Sequence, residues 1–177
     1  MNFPKHRTLL TGLTLLTMSV MLVSAPAHAF RGRLAGQNAE GGGFAGRIAG
    51  GQGPNGGRFV RGHEATTDGQ GNGQFASGGA YQGANGGSGG RAGLTTHSAD
   101  GSVNHQSGMQ ASGANGSVQS QGGLTRSADG TVNQSRTTTA TGVNGTTYNG
   151  NTSYSKDSGV VHSGGCTDAS GATVACK

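Results

Sequence analysis

Tryptophan is missing from this chain of 177 residues, aromatic residues make up 5% of it and charged residues 11%. A domain that folds around an interior carries far more apolar bulk. A conventional core is therefore not expected, nor the enclosed pocket in which most enzymes work. Proline is equally scarce, with three residues and none after Pro54, so nothing in the later chain blocks a β-ladder. Only two cysteines occur; their Cys-x₉-Cys spacing is neither that of a redox pair nor, without a histidine cluster, that of a zinc site. No HExxH and no phosphate-binding loop with its lysine is present. No cofactor is expected, and no catalysis.

The one long apolar stretch lies at the start. Lys5 and Arg7 precede residues 8–23, which are mostly apolar but include five Ser or Thr, and Ala27-His28-Ala29 supplies small residues at cleavage positions. This is the layout of a secretory signal peptide over residues 1–29, too short for a membrane span. The chain beyond is expected to be exported and to begin at Phe30. It keeps ten of the twelve basic side chains against seven acidic ones, a net of +3. Arg31, Arg33, Arg47, Arg58 and Arg61 crowd its first part, a basic stretch suited to an anionic cell-surface polymer.

Glycine is abundant, with 38 residues. Each ordered residue costs about 1–2 kcal/mol of backbone entropy, so a flexible secreted chain is one open reading, and residues 30–92 in particular can be disordered before assembly. Against it stands a repeat. Asn85-Gly86, Asp100-Gly101, Asn115-Gly116, Asp129-Gly130 and Asn144-Gly145 recur about every 15 residues, Asp-Gly alternating with Asn-Gly. The larger unit is thus about 30 residues, as expected if successive turns fall on opposite ends of a stack. Asn-Gly and Asp-Gly suit type I′ turns, whose two central residues need positive φ. The Thr-, Val-, Ser- and Gln-rich segments between them read as strands. Asp100, Asp129 and Asp157 are read as turn residues bonding their own backbone. His97 and His105 flank one turn and are read as solvated strand residues.

The predicted fold is all-β, either an antiparallel meander or a β-solenoid of stacked coils, built on half-repeats of about 15 residues. A single meander with so little apolar bulk has two wet faces, which favours stacked coils around a thin core. Phe44, Phe59, Phe75, Val103, Val118, Val132, Val161 and Val174 are the inward-facing candidates. Residues 30–92 form a weakly repetitive basic and aromatic region, 93–165 the β-repeat region, and 166–177 a hairpin closed by a Cys166–Cys176 disulfide, as suits an exported chain.

The repeats "SADGSVNHQS", "SGANGSVQSQ" and "SADGTVNQS" resemble those of bacterial extracellular fibre subunits, the curli-like functional amyloids. The likeness is one of architecture, close over residues 93–165 and loose over 30–92. It implies a secreted, self-assembling subunit of a biofilm matrix or surface appendage, partnered by itself and by a secretion or nucleator protein. The alternative is a monomeric surface-binding module for glycan, host surface or ice, suggested by the threonines of residues 137–141.

Overall fold

A computed structural model describes residues 29–37, 39 and 41–176; the expected signal peptide falls outside the described residues apart from Ala29. The described chain forms eleven strands: β1 (Phe30–Gln37), β2 (Gly43–Gln52), β3 (Arg58–Thr67), β4 (Gly73–Gln82), β5 (Ser88–His97), β6 (Val103–Gly113), β7 (Gly116–Arg126), β8 (Val132–Gly142), β9 (Thr147–Ser155), β10 (Gly159–Thr167) and β11 (Thr173–Val174). All belong to one sheet whose spatial order is the sequence order. Every pairing is antiparallel.

That connectivity is the meander's, not the coil-on-coil pairing that the thin-core argument favours. The reason is loop length. Hairpin loops of a few residues return the chain beside the strand it has just left, and parallel stacking needs a far longer crossover. From β2 to β6 successive strands begin at residues 43, 58, 73, 88 and 103, so the period of 15 in the sequence is one strand plus one turn.

The turns differ from expectation in type. Among the described residues no residue other than glycine has positive φ, which rules out type I′ at Asp100-Gly101 and its relatives. At residues 98–102, Gly101 donates to the Ser98 carbonyl at 2.9 Å and Ser98 donates to the Ser102 carbonyl at 3.0 Å. Gly101 alone takes φ +85°. This is a type I turn closed by a left-handed glycine in a bulge, and the same bonds recur at Ser127–Gly130–Thr131, Gly142–Gly145–Thr146 and Gly83–Gly86–Gly87. Asp or Asn stays right-handed there, and only the glycine after it needs its freedom. At Ala114 and Asn115 the loop has two residues, because Gly113 pairs directly with Gly116.

The sheet is a single layer, in which each strand pairs only with its sequence neighbours. Among the described residues Ser120 and Cys166 are the only buried side chains, each 6% exposed. The eight inward-facing candidates therefore have no interior to face. Phe44, Phe59, Phe75 and Val161 are exposed, and Val103, Val118, Val132 and Val174 half-buried. What holds the sheet is the backbone ladder with cross-strand side-chain pairs, such as Thr141 with Thr147 at 3.0 Å and Thr139 donating to Asn149 at 2.9 Å; pairs of this kind contribute about 0.2–1 kcal/mol each. Cys166 and Cys176 are bonded, with Cα atoms 5.3 Å apart, tying the end of the chain to β10 where β11 pairs over two residues only.

Candidate functional site

Directly opposed residues on neighbouring strands point to the same side of a sheet, and side chains alternate along each strand. The register therefore sorts every strand residue onto one of two faces. Arg33 lies opposite Arg47, Arg47 opposite His63, and the same line continues to Ser107, Gly122, Arg136, Thr152 and His162. Two residues along the strands, a second line runs Arg31, Ala49, Arg61, Gly79, Arg91, Met109 and Ser120. Arg126, His97 and His105 occupy further lines of the same face. Seven of the eight strand arginines and all four described histidines thus share one side.

Among the described residues no acidic side chain shares it. Glu64 pairs across Gly46 and Ala76 on the opposite face, and the aspartates sit in turns. Arg58 also belongs to the opposite face, in line with Gln52 and Gln82. The expected basic stretch of five arginines is accordingly four plus an outlier, and Arg91, Arg126 and Arg136 join the four from later strands. A sequence signal for this existed. Arg31, Arg61 and Arg91 are spaced by 30 residues, two strands and two turns, which returns the chain to the same line.

Aromatic residues flank the arginine lines on either side, Phe59 beside Tyr81 in one line and Phe75 with Tyr154 in another. His63 and Phe75 approach with ring centroids 6.0 Å apart. The Arg136 guanidinium is held, donating to Ser107 Oγ at 2.9 Å and Ser120 Oγ at 3.1 Å, while the other six arginines of this face are exposed. His97 and His105 do not oppose each other. Val103 faces His97, whose Nδ1 lies 3.1 Å from the Gly71 carbonyl, and His105 bonds Thr95 at 2.8 Å. Among the described residues no group of three or more His, Cys, Asp or Glu side chains is placed to hold a metal.

The opposite face has another chemistry. Toward β1 it carries Phe30, Leu34, Phe44, Ile48 and Val60; from β6 onward Gln, Asn, Ser and Thr dominate. One line there reads Ser88, Ser112, Ser117, Thr141, Thr147, Thr167 and Thr173, a hydroxyl on each of seven consecutive strands. The threonines of residues 137–141 are split by the pleat: Thr137, Thr139 and Thr141 lie here, Thr138 on the cationic side. Of the shallow open recesses, one is lined on this face by Asn104, Gln106, Thr125 and Asn133.

The turns line the two ends of the strands. Because the chain reverses at each, Asp68, Asp100, Asp129 and Asp157 fall at one end, and Asn55, Asn85, Asn115, Asn144 and Asp168 at the other. Alternation of Asp-Gly with Asn-Gly thus becomes a difference between two edges. Asp100 accepts from the Ser102 amide at 2.8 Å and Asp129 from the Thr131 amide at 2.9 Å. Such bonds favour the charged form. Asp100 is held below the ordinary carboxylate range by the Ser102 side chain and amide, Asp129 by the Thr131 amide and side chain. Asp68 is lowered by the Asn72 side chain and then the Gln70 amide, and Asp168 chiefly by the Ser170 side chain.

No known protein family, curated protein or solved structure matches this chain. No helix among the described residues is long and apolar enough to cross a membrane.

Proposed function

We propose that the chain is a secreted structural protein whose sheets associate with further copies into an extracellular β-rich fibre, and that it has no catalytic role. One observation carries this reading: among the described residues, a single layer with both faces open and almost no buried side chain. Ordering about 1–2 kcal/mol worth of backbone entropy per residue against ladder bonds and surface pairs alone leaves such a sheet short of stabilisation. A second layer supplies the missing burial. The neutral Gln-, Asn-, Ser- and Thr-rich face is fitted to receive it, because small uncharged side chains interdigitate tightly between sheets. Among the described residues the outer edge of β1 has no partner strand, and an open edge is a template for a further strand.

The test is negative-stain electron microscopy of residues 30–177 held at neutral pH, with fibre diffraction. Unbranched filaments giving a strand-spacing reflection near 4.8 Å support the proposal. A monodisperse solution with a β-type spectrum overturns it.

A second reading rests on the hydroxyl line from Ser88 to Thr173. An uncharged hydroxyl row with one member per strand suits a glycan or ice surface, and a monomer that binds either through this row is the outcome it expects.

A further inference from the structure

We propose that the cationic face is a binding platform for single-stranded nucleic acid, with the phosphate backbone along the arginine lines and bases on the flanking rings. This does not depend on fibre formation, since the opposite face is the one suited to stacking.

Three observations carry it. First, Arg33 and Arg47 are direct cross-strand partners, with His63 next in line. Like charges directly opposed destabilise a sheet, and among the described residues no carboxylate on this face relieves them. A polyanion removes that repulsion, and arginine is the residue suited to phosphate. Second, Arg31, Arg61 and Arg91 occupy one line on alternate strands with Ala49 and Gly79 between them. Their spacing is about 10 Å by strand geometry, and the small residues leave an unobstructed track running across the strands.

Third, the rings lie against glycine with one side open. A β-carbon on Gly89 would sit 2.6 Å from Cε1 of Tyr81, and one on Gly51 would sit 3.6 Å from Cε1 of Phe59. Tyr81 thus covers the bare backbone of Gly89, whereas Gly51 lies nearer to Ala29 than to the Phe59 ring; Tyr81 is 51% and Phe59 47% exposed. Rings of this kind beside a basic track are what sequence-tolerant single-strand binding requires. An acidic polysaccharide has use for the charges alone, and a duplex presents no unstacked bases to the rings.

The experiment is fluorescence anisotropy of labelled oligothymidylate with the disulfide-intact chain, titrated between about 50 and 200 mM salt, with alginate as competitor. Arg61→Gln and Arg91→Gln together are expected to reduce the log–log salt slope by about 1.4, at about 0.7 per phosphate contact. Arg58→Gln removes one such charge from the opposite face and is expected to leave the slope unchanged. Phe59→Ala and Tyr81→Ala are each expected to weaken oligothymidylate binding about tenfold while alginate binding holds. Circular dichroism checks that each variant keeps its sheet.

No binding at the lowest salt overturns the proposal. A loss of about 0.7 from Arg58→Gln, the same per charge as in the double variant, overturns it in favour of diffuse net charge. Indifference to both ring variants, with alginate competing on equal terms, overturns the nucleic-acid assignment in favour of an acidic polysaccharide.

Discussion

Arg136 on β8 reaches over Gly122 on β7 to donate to Ser107 Oγ on β6, 2.9 Å away. The intervening position is open because Gly122, opposite Arg136, has no side chain. A β-carbon there would sit 2.9 Å from Arg136 Cα and meet the Ser135 carbonyl as well. Gly122→Ala is expected to destabilise the chain by about 1–3 kcal/mol, the range for forcing bulk into a packed site. A fall in the urea midpoint, with the slope unchanged, is the readout.

Two other glycines separate backbone conformation from space. At Gly130 a β-carbon meets nothing within 4 Å, but φ is +86°; at Gly165 it also meets nothing, and no such φ is found. Gly130→Ala is expected to cost about 1–2 kcal/mol through the left-handed backbone alone. Gly165→Ala is expected to be neutral or to stabilise by up to about 1 kcal/mol, by restricting the unfolded chain. Equal behaviour of the two in thermal melts would refute the turn assignment.

Removing the Cys166–Cys176 bond with a Cys176→Ser variant or with reductant is expected to cost about 2–3 kcal/mol by the loop-closure estimate. The loss should be local. Only two residues of β11 pair with β10, so amide exchange at Thr173 and Val174 is expected to rise long before exchange in β6 or β7.

Acid should weaken the aspartate turns. Asp68, Asp100, Asp129 and Asp168 all have pKa values lowered from 3.8 in the folded chain. The unfolded chain therefore binds more protons in this range, so stability rises with pH. The contribution is fully present above the unfolded value and is lost as pH falls through the lowered folded values. Melting temperature should be flat from neutral pH to about 5 and fall below about 4. Asp100→Asn with Asp129→Asn keeps an acceptor oxygen at each turn, and it is expected to shrink that acid-dependent fall.

Much of this protein was legible in its residues. The Asp-Gly and Asn-Gly dipeptides mark where the chain turns, since each is followed or formed by a glycine that alone accepts positive φ at Gly86, Gly101, Gly130 and Gly145. The cysteines were legible as a pair for the same local reason. Their short separation brings them together across one hairpin. The phenylalanines among the inward-facing candidates misled, because the spacing of 15 between Phe44 and Phe59 is one strand plus one turn, and the next strand runs backwards. Phe44 pairs with Thr66 near one end of the strands and Phe59 with Gly51 near the other, on opposite faces.

The sequence by itself determined the strands and the turns, because each is fixed by neighbours in the chain: the glycine at a turn and the β-branched run beside it; it left the meander and the stacked coil both open. Only the tertiary structure decided which side chains share a face. Odd-numbered arginines from Arg31 to Arg91 and even-numbered Arg126 and Arg136 stand on the same side because the Gly113–Gly116 pairing closes around two residues, which shifts the pleat by one between β6 and β7. A one-residue change of register exchanges the two faces of a strand. Charge that is scattered along the chain is thereby gathered on one side of the sheet.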